Sequence, residues 1–238
     1  MNLANKYTYA ILKLVLCGKN FIKFWEGILK RHVENMMVCT TKDDGLLFVV
    51  SGPSGVGKGV VCARLRRRMP ELAYSISATT RTKRTGEEEG REYFFKGHAE
   101  FQEMIQAGQL LEWAQYVDNY YGTPRDFVEE QMAQGKNVLL EIDVRGALEV
   151  KQKLPQGVFI FLLPPTMVDL ENRLRLRGSE TEQTLYRRML TAAEEISQVH
   201  NYDYVVVNDR IAVACSKVEA IITAERCRKD RIVVIEEE

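Results

Sequence analysis

The 238-residue chain has no surplus of either charge: Lys and Arg together number 33, and so do Asp and Glu. A nucleic-acid binder ordinarily carries a basic excess, so bulk charge points to no such partner. Histidine is scarce. His32, His98 and His200 stand far apart, without the spacing of a metal site. The five cysteines (Cys17, Cys39, Cys62, Cys215, Cys227) are odd in number and contain no CxxC pair. That argues against a disulfide frame or a zinc ribbon and for free thiols in a reducing compartment, the cytoplasm. No apolar run reaches the roughly 18 uncharged residues of a membrane span, so no membrane partner is expected. Internal repeats and low-complexity tracts are also missing. What remains is a chain with 45% hydrophobic residues, enough to build one large α/β domain or one domain with inserts.

The stretch Ser51-Gly52-Pro53-Ser54-Gly55-Val56-Gly57-Lys58-Gly59 organises the rest. Before it, Leu46 to Val50 reads as a fully buried strand. After it, Val60 to Leu65 reads as the start of a helix. Strand, glycine-rich turn and helix are the context of a phosphate-binding loop. Gly52, Gly57 and Lys58 hold its spacing. The glycines let backbone N–H groups turn toward a polyphosphate, and the helix N-terminus adds partial positive charge. Lys58 adds a full charge. Gly59 departs from the pattern, standing where Ser or Thr usually meets Mg²⁺, and Val60 follows it.

Residues 1–44 differ from the rest. Ile11, Leu14, Val15, Gly18, Phe21, Ile22 and Trp25 fall near helical spacing. Six basic residues and one acidic residue in 1–31 suggest a targeting segment, but one Arg and no Ser argue against a transit peptide. A surface-packed or membrane-skimming helix is a second reading. The favoured one is an upstream translation ahead of a start at Met36 or Met37.

From Leu46 strands alternate with helices. Strands are expected at 73–78, 93–95, 110–117, 138–143, 158–163 and 204–207. Helices are expected after the loop and at 98–107, 124–134, 145–154 and 211–228. This order predicts an α/β fold, a parallel sheet with helices on both faces. The section 73–125 breaks the alternation and reads as a small inserted lobe. In such sheets a ligand lies beyond the carboxyl ends of the strands. The loop at 52–59, Glu141, Asp143 and the arginine-rich segment after Leu163 all fall at that edge.

Several further motifs make the chain resemble the guanylate kinase family. They are Ser77 to Arg84, Gly86-Glu87, Gly90 to Phe95, Glu112-Trp113-Ala114, Asn119 to Thr123, Glu141-Ile142-Asp143 with Gly146, and Arg177-Gly178 followed by Glu180. The resemblance covers about Leu46 to Arg228. It implies a kinase domain over 45–230, with a core at 45–72 and 126–230, a GMP-binding lobe at 73–125 and a lid at 168–190. It implies ATP bound by Gly52, Pro53, Ser54, Gly55, Val56, Gly57, Lys58, Gly59 and Asn208. It implies GMP or dGMP bound by Ser77, Arg81, Arg84, Tyr93, Glu112, Tyr121, Thr123, Glu141 and Asp143. Lys58, Arg81, Arg173, Arg177 and Arg188 would carry catalysis, and Mg²⁺ would arrive with ATP. No direct metal ligand is implied, although Asp143 is a candidate for holding a metal-bound water.

The chemistry agrees with those roles. Guanine presents N1–H and an amine side by side, which one carboxylate accepts, and its O6 needs a hydroxyl donor. Two arginines clamp a phosphate. Phosphoryl transfer needs positioning and positive charge more than proton transfer. Taken singly, Glu112 would be a surface carboxylate, Arg81 and Arg84 a solvated loop, and Asp143 a helix cap. Their joint spacing carries the functional reading. Two rivals are a kinase for another nucleotide and the kinase-like binding domain of membrane-associated scaffold proteins. Glu112 with Ser77 and Thr123 opposes the first, and the retained Gly57 and Lys58 oppose the second.

Overall fold

A computed structural model describes residues 38–41, 44–116, 118–176 and 181–235. The chain divides into two units, Asp43–Arg226 and a second formed by Met1–Lys42 with Cys227–Glu238. The 1–37 part of the extension lies outside the described residues. In the second unit, strand β1 (Val38–Thr41) pairs antiparallel with β11 (Ile232–Ile235), Val38 opposite Ile235. The sequence reading pairs neither strand. Each is four residues long, and nearly the whole chain separates them, so no local turn signal joins them.

The larger unit is built on β2 (Leu47–Ser51), which the apolar run foretells. Its neighbours are β8 (Val138–Glu141) and β9 (Val158–Leu163), with β3 (Ala73–Tyr74) and β10 (Tyr204–Val207) at the edges. The order is β10-β9-β2-β8-β3, and every pair is parallel. Both faces of β2 are covered, which is why Leu47 to Val50 are apolar without alternation and all five of its residues are buried. Phe48 and Val50 pack with α1 (Lys58–Arg68), α5 (Met167–Arg175), α6 (Glu182–Ser197) and α7 (Ile211–Arg226) through Val61, Leu65, Leu170, Leu185 and Val218. Leu47 and Val49 face α3 (Arg125–Ala133) and α4 (Val144–Lys153) through Val128, Ala147 and Val150. Each such fully buried aliphatic contributes roughly 1.5–3 kcal/mol.

A second sheet has the order β5-β4-β7-β6, with β4 (Ala78–Thr79), β5 (Phe94–Phe95), β6 (Leu110–Tyr116) and β7 (Asn119–Pro124). Helix α2 (His98–Gln106) completes the lobe, burying Phe101 against Ala78 and Leu110. One expectation is corrected here. Residues 73–78 are two strands in different sheets. Ser75 N–H ends the first ladder by donating to the Leu139 carbonyl at 3.0 Å, and the chain then crosses to pair Ala78 with Phe94 and Gly122. Adjacent residues of β6 serve both cores: Leu110 packs in the lobe and Leu111 against the central sheet. The arginine-rich segment forms two helices, capped by Thr166 and Thr181, whose side chains accept from Asp169 N–H and Thr184 N–H.

Candidate active site

At the carboxyl end of β2 the chain turns through Gly52, Gly55 and Gly57, with φ of 143°, 89° and 101°. Side chains are excluded there twice over. A Cβ on Gly52 would lie 2.3 Å from the Leu162 carbonyl oxygen, and one on Gly57 would lie 2.8 Å from Asn208 Nδ2. The loop is braced from behind. Asn208, 2% exposed, donates Nδ2 to the Val56 carbonyl at 2.8 Å. Arg173 donates to the same carbonyl at 3.1 Å and to the Asn208 carbonyl at 2.8 Å. Arg188 reaches Ser54 Oγ at 3.1 Å. Lys58 Nζ bridges the loop's mouth, donating to the carbonyls of Gly52 at 2.6 Å and Pro53 at 3.3 Å.

The lobe holds a buried carboxyl. Glu112 on β6 is 7% exposed and accepts a hydrogen bond from the Thr123 hydroxyl on β7 at 2.5 Å. Burial pushes its pKa up to about 7; the Thr123 bond opposes that rise, and Asp143 and Glu149 add to it. Asp143 caps α4, its Oδ1 accepting from Gly146 N–H at 2.7 Å. A Cβ on Gly146 would lie 3.0 Å from Glu112 Oε2, so the absence of a side chain keeps this carboxylate's surroundings open. Nearby, Arg81 forks onto Glu87 at 2.8 and 3.1 Å and lies 5.3 Å from the Tyr93 ring centre. Arg84 N–H donates to the same carboxylate at 2.9 Å, and Tyr93 meets Tyr121 edge-on at 6.0 Å. Ser77, half-buried, lies on the crossing between the two sheets.

Residues 45–225 match the family model described as guanylate kinase. The chain belongs to that family. It is 50% identical over 192 residues to guanylate kinase of Halalkalibacterium halodurans, covering 81% of this chain and 94% of that protein. It is 52% identical over 190 residues to the Desulfitobacterium hafniense guanylate kinase, covering 80% and 95%. The crystal structure of guanylate kinase from Anaplasma phagocytophilum matches with a TM-score of 0.63 and 34% identity, over 81% of this chain and 92% of that one.

Against that guanylate kinase frame, the structure brings most expected residues to two sites, the loop and the lobe. Arg177 lies outside the described residues. Arg175 is bound to Glu171 and Glu182 and so links α5 to α6. Three groups escaped the sequence reading as site residues. Tyr74 donates its hydroxyl to Glu141 Oε2 at 2.7 Å, which fixes the carboxylate beside Gly59. Glu87 neutralises Arg81. Burial lowers the Lys58 pKa, and Glu195 on α6 is the foremost of the charges that oppose that shift. Only Glu87 had a signal, since it sits within the Gly86-Glu87 motif that carries part of the resemblance.

Proposed function

We infer that the protein transfers the γ-phosphoryl group of ATP to GMP, giving ADP and GDP, and accepts dGMP as well. The observation that carries this is Glu112, buried with Thr123 in a lobe separate from the phosphate loop. The ionised carboxylate accepts from guanine N1–H and the 2-amino group; Ser77 offers a hydroxyl toward O6, and Thr123 offers its own by turning it from Glu112. Adenine presents an acceptor at N1 and would face the carboxylate with a repelling lone pair. The GMP phosphate falls to Arg81, Arg84, Tyr93 and Tyr121, displacing Glu87 from Arg81.

ATP phosphates lie on the loop at 52–59, where Lys58 and the helix N-terminus oppose their charge. Arg173, Arg177 and Arg188 add positive charge from the lid at 168–190, and Asn208 acts by shaping the loop. Glu141 and Asp143 would hold a Mg²⁺ that accompanies ATP through its waters, and the ion would supply charge neutralisation for the phosphates. The carboxylates present suit it: Glu141 is held by Tyr74 and Asp143 by its own cap, so both can accept hydrogen bonds from metal-bound waters. The acceptor oxygen needs little help from a base, because a phosphate monoester is mostly doubly ionised near pH 7.

We place this domain at 45–230 and the reaction in the cytoplasm. Free thiols support the latter: among the described residues Cys62, Cys215 and Cys227 are unpaired. No described helix is long and apolar enough to cross a membrane. A steady-state assay of ADP release with GMP, dGMP, AMP and UMP as acceptors tests the reading.

A further inference from the structure

Arg81 and Arg84, both expected on the acceptor phosphate, are already held by one carboxylate. Glu87 Oε1 accepts from Arg81 Nη2 at 2.8 Å. Its Oε2 accepts from Arg81 Nη1 at 3.1 Å and from Arg84 N–H at 2.9 Å. A tight turn makes this possible. Glu87 N–H donates to the Arg84 carbonyl at 3.1 Å, and Gly86, third residue of the turn, takes a φ of 87°. The turn folds the carboxylate back onto Arg84 and Arg81. The Arg81 and Glu87 side chains are only 13% and 17% exposed. The ring centres of Tyr93 and Phe95 lie 5.3 and 6.0 Å from the guanidinium carbon and wall it in.

Carboxylate and phosphate make the same demand on an arginine, two oxygens that accept from two parallel N–H groups. The Nη1–Nη2 edge of Arg81 cannot serve both. Nη1 has two N–H groups, and the Thr82 carbonyl at 2.9 Å and Glu87 take them both. The arginine side of the pair is fixed. Thr79 Oγ1 donates to the Tyr120 carbonyl at 3.0 Å, and Thr80 Oγ1 accepts from Tyr120 N–H at 2.9 Å, so the strand end before Arg81 is pinned to β7. Glu87 is followed instead by the exposed Glu88 and Glu89, and solvent receives its carboxylate once Arg81 is taken.

We propose that Glu87 is the resident occupant of the acceptor-phosphate clamp, a positioning residue that holds Arg81 and Arg84 while the site is empty and competes for them with the nucleotide's phosphate. This rests on the kinase reading above and extends it to product release. GMP and GDP bring the same α-phosphate to the clamp. A carboxylate that returns to Arg81 weakens both, so it raises KM for GMP and speeds the departure of GDP. Guanosine has no phosphate and does not meet this competition.

The test measures dissociation constants of GMP, GDP and guanosine by calorimetry at pH 8, for the full-length protein and Glu87→Gln. The amide keeps the size and one acceptor oxygen and loses the charge. GMP and GDP should each bind about fivefold tighter to Glu87→Gln. Guanosine should bind both proteins equally, and GDP release in stopped flow should slow in proportion. Unchanged or weaker GMP binding overturns the proposal, because a carboxylate that only orients Arg81 would cost affinity when lost. Equal tightening of guanosine overturns it too. Wild-type turnover of GMP checks the kinase reading separately: without turnover both readings fall, and with it the binding constants judge Glu87 alone. If Glu87→Gln fails to fold, the ¹³C carboxyl signal of Glu87 in the unaltered protein should shift with GMP and not with guanosine; a signal that ignores GMP overturns the proposal.

Discussion

Thr123 donates its hydroxyl to Glu112 at 2.5 Å, and both side chains are closed from solvent. The free protein therefore carries a carboxyl that titrates near neutrality, about 7. Guanine needs it ionised. Below that pH, binding must first remove a proton; above it, the carboxylate is ready. Guanine-nucleotide affinity should be about tenfold tighter at pH 8 than at pH 6, with a proton released near pH 7. GMP's own phosphate titrates near ~6, so Glu112→Gln is the control and should lose the Glu112 part of the slope. Calorimetry in buffers of different ionisation enthalpy measures the proton.

Folding should carry the opposite pH dependence at this residue. The folded pKa is raised, so the unfolded chain gives up this proton first. Stability from Glu112 is highest below the ordinary carboxylate range and falls as pH rises toward about 7. The loss is at most about 3 kcal/mol. Urea midpoints from pH 4.5 to pH 7.5 should decline less steeply in Glu112→Gln than in the wild type.

Tyr74→Phe should slow turnover about fivefold and destabilise the fold by roughly 1–2 kcal/mol, because Glu141 Oε2 loses its donor. Denaturant titration alongside initial rates checks both. A variant with unchanged rate would remove Glu141 orientation from the mechanism.

Gly59 and Val60 bear on the missing hydroxyl. A Cβ on Gly59 would sit 3.3 Å from Glu141 Oε1, so that carboxylate already fills the space beside residue 59. Val60 is 55% exposed. Gly59→Ala should crowd Glu141 and lower kcat, and Val60→Thr should change kcat less than about twofold. Asp143→Asn preserves the helix cap, since Asn caps as well as Asp. It should raise the Mg²⁺ concentration giving half-maximal rate. Magnesium titration of the three variants decides. A large gain from Val60→Thr with no change in Asp143→Asn would contradict the account.

Much of this was legible because its signals are local. The loop, its strand and its helix are adjacent in sequence, and β9 and β10 are apolar runs whose ends the structure reproduces. Glu112, Thr123, Arg81 and Arg84 were legible only as motifs, by resemblance. Contacts across the chain were not. Tyr74 and Glu141 are 67 positions apart, and nothing beside either announces the bond. Arg188 and Ser54 are 134 apart. The split of residues 73–78 into two sheets was hidden because a six-residue run gives no sign of which partner each half will pair with. The β1–β11 pairing was hidden for the same reason.

Acceptor choice tests the central claim most directly. Initial rates of ADP release from MgATP should be measured with GMP, dGMP, AMP and UMP, for the wild type and Glu112→Gln. The account predicts turnover with the guanine nucleotides and AMP and UMP at least about a hundredfold slower. It also predicts that Glu112→Gln loses roughly 1–3 kcal/mol of GMP binding, with KM for ATP within about twofold. AMP or UMP used as well as GMP, or equal losses for both substrates in Glu112→Gln, would contradict it.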